Sequence, residues 1–105
     1  MSQTMVENTK KCIANLNDVV SAKVIASANV YGYRFFEVRL SDKDDRYQGT
    51  VNVHLSKLKE LNVTKSINGF KKVQAWLDTP IGLEYVITVK KRTYERDLRK
   101  HETQE

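Results

Sequence analysis

The sequence is poor in the groups from which reactive centres are built. Its one cysteine, Cys12, has no partner for an internal disulfide, and its two histidines, His54 and His101, are far from it and from each other, so no zinc-ligand spacing is present. A phosphate-binding glycine loop and a nucleophile elbow are also missing. No apolar run is long enough to cross a bilayer, and no stretch reads as a secretory leader. The expectation is a soluble protein of a reducing, cytoplasmic compartment, with no metal, no cofactor and no membrane partner.

Charge is what the chain does have. Against 13 Asp and Glu stand 18 Lys and Arg, a formal net charge of +5, which favours acidic partners such as nucleic acid. With 105 residues, 40% of them hydrophobic, the chain can fill one core but not two. A single domain over residues 1 to 92 is expected, followed by a charged tail over 93 to 105.

Met5, Cys12, Ile13, Leu16, Val19 and Val20 lie close to the three-and-four spacing of a helix stripe, which predicts a helix over residues 4 to 20. On that stripe Cys12 reads as a small core hydrophobe rather than a reactive thiol. Residues 23 to 30, KVIASANV, alternate weakly and read as a strand, closed by a turn at Tyr31, Gly32 and Tyr33. In residues 33 to 40 the alternation is clear: Phe36, Val38 and Leu40 share one face, and Tyr33, Phe35, Glu37 and Arg39 the other. The run SDKDDR is a hairpin tip, after which Val51, Val53 and Leu55 form the inner face of a third strand and Thr50, Asn52 and His54 its outer face.

Further on, Ser56 suits the cap of a short helical turn through Leu61. Asn68 suits the cap of a helix carrying Phe70, Val73 and Leu77, with Trp76 beside the stripe as a partly buried structural residue, and Pro80 as its end. Residues 83 to 92, LEYVITVKKR, read as a fourth strand with Tyr85, Ile87 and Val89 inward and Val86, Thr88, Lys90 and Arg92 outward. The tail TYERDLRKHETQE, with His101 solvated, reads as a frayed helix or as disordered. The expected fold is therefore α+β in the order α-β-β-β-α-β, an antiparallel sheet with helices on one face and a polar, aromatic face left open.

That open face would carry Tyr33, Phe35, Arg39, Asn52, His54, Lys90 and Arg92. Aromatic rings interleaved with cations suit single-stranded RNA or DNA, because bases stack on the rings while Lys and Arg neutralise phosphates. The stretch Arg34-Phe35-Phe36-Glu37-Val38 resembles the aromatic central strand of RNA-recognition sheets, without that motif's glycine spacing. The first expectation is a basic, non-enzymatic nucleic-acid-binding module. The alternative is a small inhibitor or adaptor that grips an acidic protein surface through the same face, since Tyr, Trp and Arg dominate interface hot spots. A minor third reading is a metal-free ribonuclease, in which Glu37, His54 and Arg39 would supply base, acid and phosphate clamp.

Overall fold

The computed structural model describes the backbone of residues 2 to 103 and the side chains of residues 4 to 100. The chain runs α1 (Ser2–Asn15), one 3-10 turn (Leu16–Asp18), β1 (Val19–Val30), β2 (Tyr33–Asp42), β3 (Tyr47–His54), the short α2 (Leu55–Glu60), α3 (Phe70–Leu77) and α4 (Pro80–Thr103). The strands form one antiparallel sheet in the order β1-β2-β3, so the fold is α+β. No helix among the described residues is long and apolar enough to cross a membrane. The side chain of His101 lies outside the described residues, as do residues 104 and 105.

The alternation read in β2 and β3 decides which sheet face is covered. Phe36, Val38 and Leu40 are wholly buried, with Val53 opposite Phe36 and Val51 opposite Val38. Leu58 of α2, Val73 and Leu77 of α3 and Val86 of α4 close the core over them. Phe36 meets Phe70 edge-on, with ring centroids 5.4 Å apart at 84°.

Tyr31 and Gly32 sit at φ 50 and 85, the pair of positive values that a two-residue loop with the strands' own twist needs. In the second turn the Asp42 carboxylate accepts from the backbone N–H groups of Asp44 and Arg46 and from the Gln48 amide, each at 2.9 Å. The Arg46 N–H above all holds the Asp42 carboxyl below its usual range.

Several expected boundaries move. The first helix ends at Asn15 rather than 20, and Val19 and Val20 already belong to β1. β1 has two bulges, between Val19 and Ser21 and between Val24 and Ala26, which leave Val20 and Ile25 without a partner on β2 and largely exposed. Two bulges reset the parity of a strand twice, which is why its residues alternate weakly. Ser56 lies inside α2, whose cap position is His54, and α3 is preceded by Gly69 rather than Asn68; neither helix has a side-chain cap.

The fourth strand does not form. Residues 83 to 92 are the first half of α4, and the expected charged tail is its continuation. Pro80 starts that helix rather than only ending the one before: the hydroxyl of Thr79 accepts the N–H of Gly82 at 3.1 Å, so Thr79 is the cap and Pro80 the first helical residue. Val86, expected outward on a strand, is fully buried, and Ile87 and Val89 pack beside it on the helix. A 24-residue helix becomes stable because α1 lies along it and the sheet receives its apolar side. Trp76 is half-buried against Tyr85, ring centroids 5.4 Å apart, in the structural role expected of it.

Candidate nucleic-acid interface

No helix covers the outer face of the sheet, and the pairing of β2 with β3 determines what stands beside what on it. Phe35 is opposite His54 and Glu37 opposite Asn52. The His54 ring lies between Tyr33 and Phe35, with centroids 6.3 and 6.2 Å away and tilted by 67° and 60°. Five of the seven residues expected on this face, Tyr33, Phe35, Arg39, Asn52 and His54, are there. Tyr33 is 68% exposed, enough to offer a ring face to a flat ligand.

The other two are elsewhere. Lys90 and Arg92 ride on α4, on the covered side of the sheet, because the segment that carries them is a helix. The Lys90 ammonium sits 4.9 Å from the ring centroid of Tyr94 and borders a concavity of about 290 Å³ with Cys12, Tyr47 and Gly49. Gly49 allows that approach: its φ of 108 suits glycine, and a Cβ there would lie 2.8 Å from Lys90 Cε. Burial, with Cys12 adding to it, pushes the Tyr94 hydroxyl up to about 12. Cys12 itself is half-buried between α1 and this cluster.

Arg39 stays on the outer face but is occupied. Its Nη1 donates to Ser41 Oγ at 2.6 Å and to Asp45 Oδ1 at 3.5 Å, its Nη2 to the Asp45 carbonyl at 3.3 Å, and its guanidinium lies 5.7 Å from the centre of the Tyr47 ring. It pins the β2–β3 turn, and most of its donors are used within the chain. The three groups of the ribonuclease reading are therefore separated: Arg39 is engaged with Asp45, and Glu37 faces Asn52 with His54 on the diagonal, about 7 to 8 Å away by strand geometry.

The cations at the other end of the face are ones the alternation argument passed over. Arg34 and Lys59, with Tyr33, His54 and Ser56, line an open concavity of about 320 Å³ next to the aromatic cluster. Arg34 points away from the Phe35 side of β2 and Lys59 comes from α2, so neither could be assigned to the outer face from period two alone. Among the described residues no group of three or more His, Cys, Asp or Glu side chains could hold a metal ion. No family model, curated protein or solved structure matches this chain.

Proposed function

We propose that this protein is a small, basic, non-enzymatic module that binds single-stranded nucleic acid on the uncovered face of its sheet. One observation carries the reading: Tyr33, Phe35 and His54 form a ring cluster on a face without helices, bordered by the cations Arg34 and Lys59. Bases splayed from a single strand stack on such rings, and the two cations take the adjoining phosphates. A reducing, cytoplasmic setting is compatible with the single free thiol.

Fluorescence anisotropy with labelled oligonucleotides of mixed sequence, from low to physiological salt, tests this. Binding is expected, with log affinity falling by about 0.7 per phosphate neutralised for each unit of log salt. Phe35→Ala should weaken it by about 1 to 3 kcal/mol, the stacking contribution of one base. A protein that binds no oligonucleotide at low salt would leave the alternative, an acidic protein surface. Exposed Val30 and Tyr31 at the β1–β2 tip favour that reading second, and a pull-down from the native host addresses it.

A further inference from the structure

Three concavities join along the free edge of β3. The first holds the ring cluster's Tyr33 and His54 with Arg34 and Lys59. The second, about 310 Å³, shares His54 and Ser56 with it and adds Lys57, Tyr85 and Val89. The third, about 400 Å³, shares Val89 with the second and continues over Arg92, Thr93, Arg96 and Arg99. The track thus leaves the outer sheet face at His54, rounds the β3 edge and runs down α4.

Among the described residues, no acidic side chain lines any part of it. The side chains of Arg34, Lys59, Arg92 and Arg96 make no hydrogen bond or ion pair among the described residues, whereas the Lys57 ammonium lies 3.4 Å from Glu60. On α4 the three arginines fall at i, i+4 and i+7, on one side of the helix over about 10 Å. Glu95 and Asp97, in the same stretch of helix, are not among the residues that line the groove.

We propose that a single strand held on the sheet face crosses the β3 edge at His54 and that its sugar-phosphate backbone continues along α4 over Arg92 and Arg96. This rests on the nucleic-acid reading above and extends it to a second stretch of the same ligand. The ligand must carry regularly spaced negative charge and must turn sharply from a sheet face onto a helix. A duplex, stiff over about 50 nm, does not make that turn, whereas a single strand does.

The full chain is titrated with oligothymidylates of about 4 and about 16 nucleotides, the range that single-strand modules occupy. The variant Arg92→Gln/Arg96→Gln should bind the long oligomer about tenfold more weakly at low salt, with a log-log salt slope smaller by about 1.4, since two phosphates are no longer neutralised. It should bind the short oligomer as the parent does. Arg92→Lys/Arg96→Lys, which keeps both charges, should restore the slope. Both side chains are exposed, and an unchanged melting temperature verifies that the fold is intact.

If the glutamine variant binds both lengths like the parent while Phe35→Ala weakens both, the sheet-face reading stands and the track is refuted. Equal weakening of short and long oligomers would also refute it, because the arginines would then act as a diffuse field. Displacement of the long oligomer by polyglutamate of equal charge, with no preference for the nucleic acid, would assign the groove to an acidic polypeptide. No binding of either length by the parent would remove the track and the nucleic-acid reading together.

Discussion

The side-chain oxygen of Gln74 accepts the backbone N–H of Val24 at 2.9 Å, across fifty residues of chain. The same amide donates to the Ala22 carbonyl at 3.0 Å, so one side chain on α3 occupies the donor and acceptor that β1 would offer to another strand. Gln74→Ala leaves both groups unpaired at a part-buried edge and should destabilise the domain by about 1 to 3 kcal/mol in urea unfolding. Because the edge is also freed for pairing, the variant should show more self-association than the parent in size-exclusion chromatography. An unchanged midpoint and elution volume would show that water replaces the amide without loss.

The junction of α3 and α4 makes a second test. Thr79 caps α4 and also donates to the Trp76 carbonyl at 2.6 Å, while a Cβ on Gly82 would collide with that same carbonyl. Thr79→Ala should cost about 1 kcal/mol, the ordinary value of a cap. Gly82→Ala, harmless in most helices, should here cost about 1 to 3 kcal/mol, because the backbone of Trp76 must move. Helical propensity alone predicts the opposite sign, a gain on replacing Gly by Ala, so thermal unfolding of this one variant separates the two accounts.

The Tyr94 hydroxyl, raised to about 12 by burial and by Cys12, bears on alkaline stability. The unfolded hydroxyl loses its proton near pH 10, the folded one only near 12, so between these values the folded state holds the proton that the unfolded state has released. Stability is therefore unaffected below pH 10 and falls as pH rises from about 10 to about 12. Tyr94→Phe should flatten that part of the profile, and the late step in tyrosinate absorbance should vanish with it. A late step that persists in the variant would assign it to another tyrosine.

Leu16, in the turn between α1 and β1, is 3% exposed and belongs to the core. Leu16→Ala should cost about 2 to 5 kcal/mol. Since a small domain has only about 5 to 15 kcal/mol in total, the variant should be partly unfolded at temperatures the parent tolerates, as circular dichroism would record. An unaltered unfolding curve would mean that α1 and its turn contribute nothing to the core.

What the sequence determined by itself is the pair of strands β2 and β3 and their two faces. A period of two leaves only one way to bury Phe36, Val38, Leu40, Val51 and Val53, and once those residues are inside, Tyr33, Phe35, Asn52 and His54 are outside. The start of α4 carries a signal that reading Pro80 only as the end of a helix passes over, since Thr79-Pro80 is a cap followed by a first-turn proline. The run 83 to 92 was ambiguous: Tyr85, Ile87 and Val89 fit a strand, but Leu83, Val86 and Val89 fit a helix equally well, and β-branched residues weigh only a few tenths of a kcal/mol against it. Only the tertiary structure decided that case, because α1 and the sheet together bury the helical face of the segment. With it the tertiary structure moved Lys90 and Arg92 off the sheet and paired Arg39 with Asp45 across a turn whose positive φ no periodicity encodes. Local spacing determines which side of a segment is apolar; where its charges end up depends on which surface that side is pressed against.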